Sequence, residues 1–89
     1  MDRMLALTPE RPNLYARLPG RGDAPPLLLY GHVDVVSTED QHWQHPPFAG
    51  VVADGRIYGR GTLDDKMGLM GHLEAAEQLL AQGFTPVRT

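Results

Sequence analysis

The chain has 89 residues, and its 42% hydrophobic content is typical of a globular protein rather than a disordered one. Its formal net charge is −3 and its basic residues form no stripe, which argues against nucleic acid as a partner. It contains no cysteine, so any metal must be held by histidine and carboxylate side chains.

The sequence shows no sign of membrane insertion or export. No apolar run approaches the roughly 18 residues that are needed to span a bilayer. Near the N-terminus, Pro9 and Glu10 interrupt the only stretch that resembles the start of a signal peptide. We therefore expect no membrane contact, and the cytoplasm is the favoured compartment.

The first third of the chain predicts one or two strands. Residues 1–12 have no clear period and are expected to be an irregular lead-in. Residues 13–18 alternate apolar and polar side chains, the pattern of a half-buried strand. After a loop rich in glycine and proline, residues 27–30 are apolar without alternation, which predicts a strand covered on both faces.

The remainder predicts a hairpin and a helix. Residues 51–58 contain two short apolar runs around Asp54 and Gly55, the composition of a tight β-hairpin. Residues 65–82 have a helical period and are followed by Gly83, a typical helix terminator. The apolar positions of this helix are Leu69, Met70, Leu73, Ala76, Leu79 and Leu80. Residues 84–89 resemble the approach to another strand.

These elements do not make a complete layered domain. A strand covered on both faces needs a packing layer on each side, yet the pattern supplies one substantial helix. The sequence therefore predicts a piece of a larger α/β domain. On its own, such a piece would expose an apolar sheet face or pair with another copy.

His32 and Asp34 are the first candidate site residues. They follow the apolar segment 27–30, at the edge where open α/β sheets bind ligands. In an extended backbone, residues two apart point to the same face, so Asp34 could accept a hydrogen bond from a metal-bound His32 ring. The spacing alone is a weak indication of a metal site and favours a histidine that is hydrogen-bonded beside a turn aspartate, and both interpretations stay open at this point.

Asp64 and Asp65 lie between a Gly-Arg-Gly turn and the predicted helix. Acidic residues are ordinary at a helix N-terminus because they complement the exposed N–H groups there. Thr62 could be the N-cap, with Asp65 closing a box-like arrangement. This capping explanation accounts for one carboxylate more readily than for two. Glycines such as those on either side of Arg60 commonly accompany a functional site.

Taken together, segments 28–36 and 54–66, with Trp43 and Pro47-Phe48 between them, resemble a family of dinuclear-zinc hydrolases. That family includes aminoacylase-1, acetylornithine deacetylase, succinyl-diaminopimelate desuccinylase, carboxypeptidase G and carnosinase. The resemblance covers residues 13–89. The amino-acid sequence of residues 59–66 and of the helix after them is most similar to the carboxypeptidase S branch, which includes the N-fatty-acyl-amino-acid hydrolases.

The resemblance implies a fold and a set of roles. The chain would be the N-terminal part of a three-layer α/β/α catalytic domain, without the family's second, smaller domain. His32 would be a terminal ligand of one zinc, Asp64 would bridge two zinc ions, and Asp34 would orient His32. The peptide bond between Asp64 and Asp65 would be cis. Cobalt or manganese could substitute for zinc.

The implied activity is metal-dependent hydrolysis of the amide bond of an N-acyl amino acid or small peptide by a water that two zinc ions activate. The general-base glutamate and the remaining ligands would lie outside residues 1–89, so these residues alone are expected to be inactive. A homodimer formed through the second domain is one expected assembly. One alternative is a non-catalytic remnant or interaction module. Another is an Fe(II) oxygenase, which the helical setting of His72, a distant histidine, does not favour.

Overall fold

The computed structural model describes residues 3–89, and the chain divides into two compact units. The first unit runs as far as Leu28 and includes Gly83–Thr89, and the second is Leu29–Gln82. In chain order the elements are β1 (Arg3–Ala6), β2 (Pro12–Tyr15), β3 (Val51–Ala53), β4 (Arg56–Tyr58) and α1 (Gly68–Ala81). Within residues 3–89, no helix combines the length and the apolar character needed to cross a membrane.

The first unit begins with a hairpin of which the sequence predicts only the second strand: the strand expected over residues 13–18 is confirmed for 13–15 and is wrong for 16–18. β1 pairs antiparallel with β2, with Met4 opposite Leu14, so the expected irregular lead-in is wrong for Arg3–Ala6. The connection contains a β-turn in which the Arg11 amide donates to the Thr8 carbonyl at 3.1 Å. Pro9, which interrupts the apolar pattern, occupies the second position of that turn, where proline is favoured.

The apolar segment 27–30 is not the doubly covered strand that its composition predicts. Among the described residues no strand is assigned there, and the four side chains are 57–82% exposed. The Leu27 amide donates to the Thr89 carbonyl at 2.7 Å. A strand exists only where a neighbour completes its hydrogen-bond ladder, and composition does not reveal whether that neighbour is present.

Residues 84–89 belong to the first unit but do not form the expected strand. Their carbonyls instead accept backbone hydrogen bonds from an irregular segment earlier in the chain. Pro86 accepts from Arg21 and Val87 accepts from Asp23, each at 2.9 Å. These isolated hydrogen bonds attach residues 84–89 to the earlier segment without forming a regular β-ladder.

The second unit contains the predicted hairpin. β3 pairs antiparallel with β4, with Val51 opposite Tyr58. The two residues between them, Asp54 and Gly55, have positive φ angles of 51° and 72°. A two-residue turn with both central residues in this region matches the right-handed twist of the strands, which is why Asp-Gly predicts it so well.

The predicted helix is confirmed in its body and at its end. α1 ends with Gln82 as its C-cap, and Gly83 adopts the left-handed conformation with a φ of 74°. Its regular part begins at Gly68, three residues later than predicted. The segment Thr62–Met67 before it, here called the π-type turn, is kinked at Asp64 and Asp65, whose backbone angles are not helical.

The N-terminal cap predicted for this helix is wrong. The Thr62 hydroxyl donates to the Gly59 carbonyl at 2.9 Å, and no side chain caps the turn. Asp64 and Asp65 have non-helical backbone angles, so neither carboxylate lies where a capping box requires it.

No apolar side chain among residues 3–89 is buried. The apolar positions of α1 also remain accessible, Leu73 and Met70 among them. Exposed apolar side chains occur on the hairpin strands, Met4 and Val52 among them, as well as on unpaired chain and on the helix, so the predicted exposure of apolar surface is confirmed.

Gly71 offers a test of the intrinsic stability of α1. A Cβ added there would meet no atom within 4 Å. We expect Gly71→Ala to increase the helicity of a synthetic peptide covering residues 62–85, because alanine favours a helix interior over glycine by about 1 kcal/mol. Ala75→Gly is the matched control and should lower helicity by a similar amount. Far-UV circular dichroism measures both changes, and equal ellipticity for the two variants would contradict the helix assignment.

Candidate metal centre

The two segments with candidate ligands lie together in the second unit. His32 and its neighbours 34–36 line one side of an open cleft, and residues 59–64 line the other. The hairpin β3–β4 ends one residue before Gly59. The π-type turn that follows places Asp64 at the cleft. Residues 30 positions apart in the sequence therefore face one another.

His32 and Asp64 make the central contact of the cleft. The Nε2 atom of His32 lies 3.3 Å from Oδ1 of Asp64. Two ligands of a tetrahedral zinc, each about 2.0–2.1 Å from the ion, are about 3.3 Å apart. The observed separation therefore suits two donors of one ion, and the nitrogen and oxygen atoms are donors that zinc accepts.

The other ring nitrogen of His32 contacts Asp34. Nδ1 lies 3.0 Å from the Asp34 backbone carbonyl and 3.5 Å from Oδ1 of its carboxylate. The carbonyl is at hydrogen-bonding distance, whereas the carboxylate is beyond it. A carbonyl can only accept, so Nδ1 carries a hydrogen, and in the neutral ring Nε2 is then the unprotonated nitrogen that faces Asp64. The backbone of Asp34 thus selects the tautomer that a metal ligand needs, and the role of its carboxylate stays a prediction.

The surroundings of His32 raise its pKa above the ordinary value. The backbone carbonyl of Asp34 is the largest cause, because it stabilises the protonated ring. The negative charges of Asp34, Asp64 and Asp65 act in the same direction, and partial desolvation opposes them. A site that attracts a proton in this way also attracts a divalent cation.

The remaining histidines lie away from this contact. The His45 ring packs against Tyr58 with 4.5 Å between centroids. His42 and His72 are exposed, and among the described residues none of the three lines the cleft with His32. The second histidine that an Fe(II) oxygenase triad needs is therefore not brought to the cleft by residues 3–89. No group of three or more potential metal-binding side chains forms within the same residues.

Two residues that contact the His32 segment are missed by sequence reasoning. The Asp65 carboxylate, predicted to cap the helix, accepts a hydrogen bond from the His32 amide at 3.3 Å. The Lys66 ammonium donates to the Val33 carbonyl at 2.9 Å. The sequence gives one indication of a further role here, because helix capping explains one of the two adjacent aspartates and leaves the other unexplained.

Arg60 organises the wall of the cleft. Its amide donates to the Pro47 carbonyl at 2.7 Å, and its guanidinium lies 4.9 Å from the centre of the Trp43 ring. Nη2 donates to Oε1 of Gln41. These contacts attach the loop between His32 and β3 to the turn that carries Asp64.

Comparison with known proteins identifies one protein family. The family model described as "Peptidase family M20/M25/M40" matches residues 28–89. This range contains both segments that line the cleft. No solved structure matches the chain significantly.

Three relatives illustrate the similarity. The chain is 54% identical over 65 residues to probable carboxypeptidase S-like 2 of Dictyostelium discoideum, covering 72% of the chain and 12% of that protein. It is 50% identical over 64 residues to human N-fatty-acyl-amino acid synthase/hydrolase PM20D1, with 72% and 13% coverage. It is 51% identical over 67 residues to succinyl-diaminopimelate desuccinylase of Methylobacterium radiotolerans, with 75% and 17% coverage.

The chain thus spans less than a fifth of the length of these relatives. The family match nevertheless covers more than half of the chain, and the peptide bond between Asp64 and Asp65 is cis, as the resemblance implies. The predicted kinship is confirmed: the chain belongs to the M20/M25/M40 peptidase family, an α/β family of hydrolases.

Proposed function

We propose that this segment contributes to a zinc-dependent hydrolase that cleaves the amide bond of N-acyl amino acids or small peptides. The observation that carries the proposal is the 3.3 Å separation between His32 Nε2 and Asp64 Oδ1. We further propose that the segment forms part of a three-layer α/β/α domain, whose other layers cover the exposed apolar residues.

The residues present define the roles that we propose. His32 is a terminal ligand, with its tautomer fixed through Nδ1. Asp64 has a second carboxylate oxygen and an 89% exposed side chain, so it is free to bridge to a second ion. Bound zinc supplies Lewis acidity and makes a coordinated water more acidic. Cobalt or manganese could occupy the same oxygen and nitrogen donors.

The general base is proposed to lie outside residues 1–89. Glu74 and Glu77 are the acidic residues of α1, but Glu74 is ten positions from Asp64. Six of these positions lie in α1 beyond Gly68, which at about 1.5 Å per helical residue is about 9 Å along the axis, and the kinked segment that carries Asp64 lies before Gly68. A base must come within hydrogen-bonding distance of the water it deprotonates, so neither glutamate fills this role.

The names of the relatives support the substrate class. One name describes a hydrolase of N-fatty-acyl-amino acids, another a desuccinylase of succinyl-diaminopimelate, and the third a carboxypeptidase. All three concern amides or acyl groups on amino-acid units, and an acyl amino acid is the simplest substrate they share. We propose a small molecule of this kind as the partner of the site.

Replacing the two proposed ligands tests the function directly. In the protein expressed from the complete reading frame, we expect His32→Ala and Asp64→Ala each to reduce kcat/KM by at least about 100-fold, since even outer-sphere partners of a metal typically cost 10–100-fold. His72→Ala is the matched control and should retain activity. The assay measures hydrolysis of N-acyl amino acids of several chain lengths and of dipeptides, with and without added zinc.

Three results would contradict this proposal. They are activity of the His32→Ala protein at the rate of the control, activity that survives complete removal of zinc without any substitute metal, and absence of turnover on every substrate in the zinc-loaded wild-type protein. The last result would favour the non-catalytic alternative.

A substitution at Asp34 separates the role of its backbone carbonyl from the role of its carboxylate. We expect Asp34→Ala to keep most of the bound zinc, because the backbone carbonyl that contacts Nδ1 remains, but to lower turnover by about 10–100-fold through loss of the nearby negative charge. Glu39→Ala, in an exposed loop, controls for loss of charge. Inductively coupled plasma mass spectrometry measures zinc content. Turnover equal to wild type would exclude a role for the carboxylate.

The 89-residue chain by itself gives a further prediction. It should show no amidase activity and only weak zinc binding, because His32 and Asp64 are the two ligands that we propose within it, whereas strong sites use three or four protein ligands. Isothermal titration calorimetry measures the affinity. Stoichiometric binding in the nanomolar range would show that the described residues contain a complete site.

A further inference from the structure

Asp65 and Lys66 both reach the dipeptide His32-Val33. Oδ2 of Asp65 accepts from the His32 amide at 3.3 Å, and Nζ of Lys66 donates to the Val33 carbonyl at 2.9 Å. One residue therefore contacts the N–H at the start of the dipeptide, and the next contacts the carbonyl at its end. Each charge matches its target, because a carboxylate accepts and an ammonium donates.

The backbone of the π-type turn makes this double contact feasible. In a regular helix successive side chains are rotated by about 100°, so three consecutive residues cannot serve one neighbouring segment. Asp64 and Asp65 instead have φ, ψ angles of −119°, 99° and −128°, 16°. With this geometry Asp64 faces the His32 ring while Asp65 and Lys66 face the backbone on either side of it.

Three glycines leave room for these side chains. A Cβ at Gly31 would lie 2.9 Å from Oδ2 of Asp65, and one at Gly68 would lie 2.5 Å from Oδ1. A Cβ at Gly61 would lie 2.9 Å from Nζ of Lys66 and would also collide with the Val35 side chain. Any larger residue at these positions would displace the carboxylate or the ammonium group. The local sequence thus provides space for both contacts at once.

We propose that Asp65 and Lys66 form a two-point clamp that positions the His32 ring against Asp64. The clamp is defined by the two hydrogen bonds to His32 and Val33. Its benefit to metal binding rests on the proposed function, since it fixes the segment that carries one ligand to the turn that carries the other. Asp65 and Lys66 are positioning residues, because neither contacts the ring nitrogen that faces Asp64.

The test uses the protein expressed from the complete reading frame, with one disruptive and one conservative variant at each position. Asp65→Ala removes the acceptor, whereas Asp65→Asn keeps a carbonyl oxygen in its place. Lys66→Met removes the donor, whereas Lys66→Arg keeps it. Glu77→Ala and Arg56→Met, which change charge elsewhere in the same unit, are the controls. Circular dichroism and thermal unfolding verify that each variant is folded.

The first measurement is backbone amide exchange in the metal-free protein. We expect peptides covering residues 31–36 to exchange about tenfold faster in Asp65→Ala and Lys66→Met, since each loses a hydrogen bond to a charged group that holds this segment. Asp65→Asn, Lys66→Arg and both controls should exchange at close to the wild-type rate. Unchanged exchange in the two disruptive variants would overturn the clamp.

The second measurement is zinc affinity, determined by competition with a chelator. The disruptive variants should bind zinc about 10–100-fold more weakly, as expected when a group that orients a ligand is removed, and the conservative variants should recover most of the affinity. Equal zinc affinity in all variants would overturn the positioning role, as would equal losses in the conservative and disruptive variants.

The two proposals fail in different ways. A wild-type protein that binds no zinc would refute the proposed function, and the exchange rates of the metal-free variants would still decide whether the clamp exists. A wild-type protein that binds zinc and hydrolyses its substrate, with exchange unaffected by Asp65→Ala and Lys66→Met, would refute the clamp alone. If Asp65→Ala does not fold, Lys66→Met and its conservative partner give the same decision.

Discussion

The conformation of the π-type turn between β4 and α1 sets where the side chains of Asp64, Asp65 and Lys66 meet the His32 segment. Three consecutive side chains leave this turn towards one dipeptide, where they meet the ring, the amide and a carbonyl. A regular helical start would direct them to different sides and would separate Asp64 from His32. The hairpin before the turn and α1 after it fix its two ends, so the short elements of the second unit serve mainly to hold this conformation.

Features that depend on neighbouring residues were predictable from the sequence. The hairpin follows from Asp54 and Gly55, whose positive φ angles match the turn that their chemistry favours. The body of α1 follows from its apolar period, and its end from the left-handed Gly83. The candidate ligands were identified because residue type, spacing and family resemblance agreed at His32 and Asp64.

Features that depend on distant partners were not predictable in the same way. The composition of residues 27–30 indicates burial, but a strand needs a neighbour whose presence composition does not encode. Asp65 has a local explanation as a helix cap, whereas its observed partner, the His32 amide, lies 33 positions earlier. Strand β1 is missed for a different reason: residues 1–12 have no clear period, and Pro9 is part of the turn that pairs β1 with β2.

Solvent exposure limits what the two candidate ligands achieve by themselves. The side chains of His32 and Asp64 are 44% and 89% exposed, and water screens the attraction between a carboxylate and a cation. Electrostatic stabilisation of a reaction is much stronger where water is excluded. Leu69 of α1 lies beside Gly31, the residue before His32, and Leu73, Leu79 and Leu80 further along the helix are 42–53% exposed. A layer packed on this side of the helix would therefore bury apolar surface and lower the dielectric around the ligands in a single step. Packing and catalysis would then depend on the same added structure.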